Sequence, residues 1–118
     1  MKSFEFYMQM FIDNVRLSRN TRYESRIAVH RHNKAVDKYR YAAKMINKYF
    51  PEKIESFCEL LDSDNVEIRI CCAVCIVELL SATSEQKQLA INQIKEEIEK
   101  GNAFPTSGWK MWLKQYDI

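Results

Sequence analysis

The chain has 118 residues, of which 47% are apolar and 29% charged, a balance typical of a globular protein with one ordinary core. Only two glycines and two prolines occur, and this scarcity of turn residues argues against a sheet-rich fold and favours long helices. The net charge of +2 is unevenly distributed: residues 1–50 hold 11 Lys/Arg against 4 Asp/Glu, giving +7, whereas residues 51–118 hold 7 against 12, giving −5.

The first segment of the chain predicts an amphipathic helix over residues 4–17, with Ser3 as its cap. Its apolar positions follow the three-and-four spacing of one buried stripe: Phe4, Tyr7, Met8, Phe11, Ile12 and Val15. Glu5 and Asp13 interrupt the apolar centre that a signal peptide needs, and the longest apolar run, Ile70 to Val77, is too short to cross a bilayer. We therefore expect a cytosolic protein that does not bind membranes and whose four cysteines are reduced thiols.

A long second helix is predicted over residues 22–48, with a length of about 40 Å, because Thr21 to Glu24 fits the capping-box pattern and no glycine or proline follows before Pro51. Its core stripe steps by three and four and has alanines beside it: Val29, His32, Val36, Tyr39, Ala43, Ile46 and Phe50, with Ala28, Ala35 and Ala42. Eight basic side chains project away from that stripe: Arg22, Arg26, Arg31, Lys34, Lys38, Arg40, Lys44 and Lys48.

A second apolar set on this helix also projects away from the core stripe: Tyr23, Ile27, Tyr41 and Met45. Either the first helix covers this set or part of the set remains exposed to solvent. The sequence leaves both outcomes open.

Two further helices are predicted between residues 51 and 81. Pro51 suits the first position of a third helix, where its missing amide costs nothing. The turn Asp62 to Asn65 supplies capping oxygens for a fourth helix over residues 66–81. Because this fourth helix is apolar on nearly every side, we expect it to be central.

The last part of the chain predicts a fifth helix and a short closing helix. Thr83 to Gln86 forms the cap of the fifth helix, which runs through Lys100 and is stopped by Gly101. Trp109 and Trp112 are potential anchors for a partner, but their spacing favours burial of the closing helix. The complete prediction is six helices and no sheet.

Three of the four cysteines lie in the segment 71–75, where Cys72 and Cys75 form a Cys-x-x-Cys pair. Structural zinc needs a second pair or histidines at ligand spacing, and a redox pair normally begins a helix after a strand. Neither context is present, since Cys58, His30 and His32 form no second half-site and the pair lies deep inside a predicted helix. We therefore predict that these cysteines are buried packing residues and that the chain holds no metal and no other cofactor.

Residues 60–80 contain a pattern of paired leucines, turn aspartates and small residues: Leu60-Leu61-Asp62, Asp64, Ile68-Arg69, Cys72-Ala73 and Leu79-Leu80. This pattern resembles the HEAT repeat, in which a leucine-ended helix meets an Asp-containing turn and a β-branched–Arg pair opens a second helix. The resemblance implies that Asp62 helps to cap the fourth helix and that Arg69 bonds back to the turn or to a neighbouring repeat. It also implies that Cys72 and Ala73 lie where helices approach closely.

The whole chain resembles a family of small bacterial HEAT-like domains of unknown function, on the basis of a long second helix with a central Asn33, one good repeat and a short last helix. The resemblance implies an all-α fold, a short α-α superhelix of about six helices, in a single domain over residues 1–118. Residues 1–50 would form a basic N-terminal cap with the long helix, residues 51–100 the HEAT-like helices, and residues 101–118 a C-terminal capping helix. Such families resemble immunity proteins, which neutralise a partner toxin.

The sequence predicts that the chain is not an enzyme. His30 and His32 are the only histidines, and His32 falls on the core stripe, where we expect a buried, hydrogen-bonded imidazole. The chain has no glycine-rich phosphate loop, no His-Glu-x-x-His and no Ser or Cys nucleophile motif. The carboxylates of Glu96, Glu97 and Glu99 are expected to form a solvated helix face.

Nucleic-acid binding is the alternative function. The eight basic residues of the long helix, interleaved with Tyr23 and Tyr41, could follow a phosphate backbone while the rings stack on bases. The same lysines and arginines are also explained if their only role is to keep the protein dispersed in water. No DNA-reading module is evident, and the acidic half of the chain would repel nucleic acid.

A protein-binding module is the function that the sequence favours, with a cognate toxin domain as the expected partner. A toxin with a basic substrate cleft, such as a nuclease, would meet the carboxylates of Glu52, Glu55, Glu59, Asp62, Asp64 and Glu67, although solvation and helix capping also explain this cluster. An acidic partner would instead dock on the long helix through Arg26, Lys34, Lys38 and Tyr41. In either case the mechanism is occlusion, with no chemistry supplied by this chain.

Overall fold

The computed structural model describes residues 2–20, 26–103 and 106–117. Within these ranges the chain forms six α-helices, two 3-10 helices and no strand, which confirms the all-α prediction. The α-helices are α1 (Phe4–Asn20), α2 (Arg26–Tyr49), α3 (Ile54–Cys58), α4 (Val66–Glu78), α5 (Ser84–Glu99) and α6 (Thr106–Tyr116), and the 3-10 helices are Pro51–Lys53 and Glu59–Asp62. None of the helices in the described ranges is both long enough and apolar enough to span a bilayer.

The chain divides into two compact units, an N-terminal unit (Met1–Phe57) and a C-terminal unit (Cys58–Ile118). By sequence the N-terminal unit has 12 Lys/Arg against 6 Asp/Glu, giving +6, and the C-terminal unit has 6 against 10, giving −4. The uneven charge of the sequence is therefore a difference between two structural units. The superhelical arrangement implied by the HEAT-like pattern stays a prediction.

The N-terminal unit is built on an antiparallel pair of helices, α1 and α2. At one end of the pair the Phe4 and Phe50 rings lie 6.0 Å apart. At the other end His32 Nδ1 lies 2.8 Å from the Ser18 backbone oxygen, and the imidazole donates because a carbonyl can only accept. The predicted hydrogen bond of His32 is thus confirmed, although its side chain is half-buried and not fully buried.

Buried side chains of α1 and α2 meet between the two helices. The α1 stripe is confirmed at its central positions, where Phe11 is fully buried with its ring 5.6 Å from that of Tyr39 and 5.0 Å from that of Phe57. Small residues on α2 allow this close approach: Ala35, Ala42 and Ala43 are all buried. The capping box predicted at residues 21–24 lies outside the described residues.

The third predicted helix is instead three short pieces, because the 3-10 helix Pro51–Lys53 precedes α3 and the 3-10 helix Glu59–Asp62 follows it. The prediction that Asp62 helps to cap α4 is wrong. Asp62 ends the second 3-10 helix with an exposed side chain, whereas Asn65 is the cap, its Oδ1 accepting a hydrogen bond from the Ile68 amide at 3.1 Å.

In the C-terminal unit α4 is the most deeply buried helix, as its apolar sequence predicts, and it packs against α5. It ends at Glu78, three residues before the predicted end. The predicted start and stop signals of α5 are both confirmed. Thr83 and Gln86 form a reciprocal capping box at the start, and Gly101 follows the end of the helix with φ +77°. The Asn102 amide donates to the Glu97 carbonyl and the Gly101 amide to the Ile98 carbonyl, which is the Schellman pattern of helix termination.

Candidate protein-binding surface

The basic face of α2 carries four of the residues predicted to contact a partner: Arg26, Lys34, Lys38 and Tyr41. All four are exposed. The structure brings Lys34 and Lys38 into one groove, and the Tyr41 ring lies 6.4 Å from that of Tyr7 on α1. Arg26 does not line this groove.

The groove runs between α1 and α2 and encloses about 110 Å³. We call it the α1–α2 groove, and its lining residues are Asn14, Leu17, Arg31, Lys34, Ala35 and Lys38. Leu17 is 50% exposed, so the wall contributed by α1 includes an apolar side chain in contact with water. The groove therefore combines three cations with an apolar patch.

The three cations of the groove lack the kind of partner that Lys2, Lys48 and Lys53 have among the described residues of the N-terminal unit. Arg31, Lys34 and Lys38 form no ion pair with any described residue. In contrast, the Lys53 ammonium lies 3.9 Å from a Glu5 carboxylate oxygen and 5.1 Å from the centre of an aromatic ring. Lys2 and Lys48 each lie 5.2 Å from the centre of a ring, of Phe6 and Tyr49 respectively.

The apolar set on α2 that the sequence left open is partly exposed. Ile27 is 67% exposed and Tyr41 is 48% exposed, while Met45 is half-buried. Tyr23 lies outside the described residues. Part of this set therefore remains exposed to solvent, and the exposed side chains add apolar area to the basic face.

The six carboxylates predicted to meet a basic cleft are divided between the two units. Glu52 and Glu55 belong to the N-terminal unit, and both are exposed. The other four belong to the C-terminal unit, where all but the half-buried Glu67 are exposed: Glu59, Asp62, Asp64 and Glu67. Asp62 also lines a second groove of about 240 Å³ between the second 3-10 helix and α5, beside the exposed Leu89.

The cysteines behave as packing residues at the two positions where burial is complete. Cys72 and Cys75 are fully buried, which confirms the prediction for them, while Cys58 and Cys71 are half-buried. Burial raises the pKa of the Cys72 thiol well above its ordinary value. Among the residues that the structure describes, no cysteine forms a disulfide and no group of three or more His, Cys, Asp or Glu side chains is placed to hold a metal ion.

The prediction that Glu97 belongs to a solvated face is wrong. Its side chain is fully buried, and its carboxylate accepts hydrogen bonds from Arg69 Nε at 2.8 Å, Gln93 Nε2 at 2.8 Å and Asn102 Nδ2 at 2.7 Å. Arg69 also donates to the Ser63 carbonyl at 2.9 Å, which confirms the bond back to the turn. This network is structural, since every group in it is engaged within the C-terminal unit.

A sequence signal for the burial of Glu97 does exist. Glu97 lies seven residues after Ala90 and three after Ile94, and both of these are buried on α5. A glutamate in register with a buried stripe requires a buried partner, and Arg69 on the apolar α4 is the matching cation.

The two tryptophans of α6 are half-buried and not fully buried as their spacing favoured. Trp112 Nε1 donates to Glu78 Oε2 at 2.8 Å, and its ring lies 6.0 Å from that of Trp109 and 5.0 Å from that of Tyr116. Trp112 thus anchors α6 to the end of α4. Met111 on the same helix is 71% exposed.

Comparison of the chain with protein-family models, with curated proteins and with solved structures finds no match in any of the three. A function for this chain is therefore inferred from its own residues. Of the surfaces described above, the α1–α2 groove has the most specific chemistry, because three cations that form no ion pair with a described residue lie beside the exposed Leu17. Such a surface can bind an anionic group and cover apolar area at the same time.

Proposed function

We propose that this chain is a non-enzymatic protein-binding module, an immunity protein that neutralises a cognate bacterial toxin in the cytosol by covering its active site or substrate groove. The observation that carries the proposal is the α1–α2 groove, with its three cations and the exposed Leu17. The cations gain from an anionic partner, and the apolar side chain gains from being covered. A folded protein supplies both kinds of group.

The helical scaffold suits binding by occlusion. The groove lies between two regular helices of 17 and 24 residues, so the side chains that contact the partner are already positioned before binding. Little backbone entropy is then lost on association, and more of the contact energy appears as affinity. The positive charge of the N-terminal unit would steer an acidic surface towards the groove and raise the association rate.

The proposal is tested by co-expression of this chain with the toxin encoded by the neighbouring gene. We expect cells that express the toxin alone to stop growing and cells that also express this chain to grow. A chain with an unrelated helical fold, expressed at the same level, should give no protection. If this chain gives no protection either, and the neighbouring product does not co-purify with it, the immunity function is refuted.

A toxin assay in vitro separates occlusion from any chemistry supplied by this chain. If the chain acts by occlusion, inhibition of purified toxin saturates at one equivalent, and the toxin recovered from the complex by denaturation and refolding is fully active. A toxin that emerges cleaved or covalently modified would show that the chain is an enzyme.

A further inference from the structure

We infer that the α1–α2 groove binds an acidic amphipathic helix of the partner protein, whose carboxylates pair with Arg31, Lys34 and Lys38 and whose apolar side chains cover Leu17 and Ile27. This inference rests on the proposed function only for the identity of the partner. The argument from charge and apolar area applies to any protein ligand, whether or not it is a toxin.

The cations on the α2 wall of the groove belong to a ridge of side chains that extends beyond the groove in both directions along the helix. Arg31, Lys34 and Lys38 are separated by three and four residues, so they lie on one side of the helix. Ile27 stands four residues before the first cation, and Tyr41 stands three residues after the last. At 1.5 Å per residue this ridge is about 21 Å long, the length of a helix of about 14 residues.

The opposite wall of the groove is formed by α1. Asn14 and Leu17 stand on this wall, three residues apart. Asn14 Nδ2 donates to the Met10 carbonyl at 2.8 Å, which fixes the orientation of its amide. Two parallel ridges with a trough between them are the surface into which the side chains of a third helix can pack.

The cations of the ridge lie beside one another at a spacing of three and four residues. Like charges three or four residues apart destabilise a helix, and these cations make no ion pair with a described residue. A partner helix with carboxylates at the same three-and-four spacing would relieve this repulsion. We choose a helix as the ligand because side chains three and four residues apart lie on one face of a helix, at the same spacing as the cations.

The exposed apolar side chains favour a protein over a nucleic acid. A phosphate backbone could neutralise the three cations, but it has no group that gains from covering Leu17, which is half exposed, or Ile27, which is two-thirds exposed. An amphipathic helix has both carboxylates and apolar side chains. Protein binding therefore accounts for the whole surface, and nucleic-acid binding accounts for only part of it.

The test is an NMR titration of the isotope-labelled full chain with a synthetic 18-residue helical peptide. The peptide carries three glutamates at positions i, i+3 and i+7 with leucines flanking them, and a matched peptide carries glutamines in place of the glutamates. We expect the glutamate peptide to shift the amide resonances of α1 and α2 along the groove and to bind at least tenfold more tightly than the glutamine peptide. The difference should shrink at high salt because the charges are exposed.

Two charge-reversal variants make the test specific for the groove. The variant Arg31→Glu/Lys34→Glu/Lys38→Glu should bind the glutamate peptide at least tenfold more weakly than the natural chain. The control variant Lys44→Glu/Lys110→Glu/Lys114→Glu changes the net charge equally at exposed lysines outside the groove, and it should bind normally. Far-ultraviolet circular dichroism of both variants verifies that the helices are formed. Should the groove variant not fold, Leu17→Ser/Ile27→Ser tests the same surface through its apolar part, with weaker peptide binding expected.

Four outcomes overturn the inference. They are equal binding of the two peptides, no binding of either peptide, shifts confined to the C-terminal unit, and tighter binding of a 20-base-pair DNA duplex with a log–log salt slope of about −2.7 or steeper. In the co-expression assay, protection by the groove variant as complete as that by the natural chain would refute the groove while leaving the immunity function in place. Peptide binding without protection would refute the immunity function and leave the groove in place.

Discussion

Arg69 and Glu97 form an ion pair across the C-terminal unit, with 2.8 Å between Arg69 Nε and Glu97 Oε1. The two residues are 28 positions apart, on α4 and α5. Because Arg69 also holds the Ser63 carbonyl and Glu97 also accepts from Asn102, the pair connects the turn before α4 with the loop after α5. No other described ion pair has so little exposure on both sides, with 17% of the Arg69 side chain and none of the Glu97 side chain accessible.

Removal of the cation should strongly destabilise the chain. Arg69→Met leaves the buried Glu97 carboxylate without its charge partner, and we expect the free energy of unfolding to fall by about 3 kcal/mol. Urea denaturation followed by circular dichroism measures the change. The control is Glu99→Gln, which alters an exposed glutamate on the same helix and should change stability by less than about 0.5 kcal/mol. Equal midpoints for Arg69→Met and the control would show that the pair contributes nothing.

The same network makes stability depend on pH. Burial raises the pKa of Glu97, but hydrogen bonds from Arg69, Asn102 and Gln93 together outweigh burial, so the pKa in the folded chain lies below the ordinary glutamate value. A depressed folded-state pKa means that the stabilisation is present above the unfolded-state pKa of about 4.3 and is lost as the pH falls through the folded-state pKa.

Glu97→Gln isolates this contribution from the other carboxylates. At pH 7 the natural chain should be more stable than the variant, and the difference in free energy of unfolding should decline as the pH falls from about 5 to below 4. Urea unfolding of both chains at several pH values measures the difference. A difference that stays constant over this range would contradict the predicted linkage.

Local signals were sufficient to predict the ends of α5, where the pattern from Thr83 to Gln86 and the single Gly101 each have one physical interpretation. They were not sufficient before α4, because four successive residues, 62–65, all carry side chains that can cap a helix. The position of α4 in the unit decides which of them meets the first amides. The sequence alone cannot supply that position.

The burial of charged residues also depends on tertiary packing that the sequence alone cannot supply. Glu97 stands in a run of charged residues that has the composition of a solvated face, although it also lies in register with the buried Ala90 and Ile94. Its cation partner, 28 positions away, is identified only by the packing of α4 against α5.

Helical spacing placed the three cations of the α1–α2 groove among the eight basic residues of the long helix, but only Lys34 and Lys38 were among the residues predicted to contact a partner, and Arg31 was not. The sequence does not show which residues of the basic face line the groove, because the lining depends on where α1 lies relative to the small residue Ala35 on α2.

The corrected cap of α4 gives a third prediction. Asn65→Ala removes the side-chain oxygen that accepts from the Ile68 amide, and we expect a loss of about 1 kcal/mol in the free energy of unfolding. Asp62→Ala is the matched control, because Asp62 is exposed and does not act as the cap. If Asp62→Ala proved more destabilising than Asn65→Ala, the cap implied by the HEAT-like pattern would be correct after all.

The cysteines should react with thiol reagents according to their burial. Cys72 and Cys75 are fully buried. Burial also raises the pKa of Cys72, so a smaller fraction of this residue is present as the thiolate that such reagents attack. We expect brief treatment of the native chain with iodoacetamide at pH 8, followed by peptide mass spectrometry, to leave these two unlabelled while Cys58 and Cys71 react slowly. All four should react in 6 M guanidinium chloride, which serves as the control. Rapid labelling of Cys72 in a chain that keeps its helical circular dichroism would contradict the packing assignment.

The indole of Trp112 should hold α6 in place through its hydrogen bond to Glu78, because a donor facing a carboxylate forms a stronger bond than one facing a neutral acceptor. Trp112→Phe keeps a ring but removes the N–H, and we expect a loss of about 1 kcal/mol in the free energy of unfolding together with faster hydrogen exchange of the α6 amides. Met111→Ala, at a position that is 71% exposed on the same helix, is the matched control and should change neither quantity appreciably. Trp112→Phe should have the larger effect because the half-buried Trp112 has a polar partner on α4, whereas Met111 mainly contacts water. If the two variants exchanged at the same rate, α6 would be held by its apolar contacts alone, and the bond to Glu78 would contribute nothing to its anchoring.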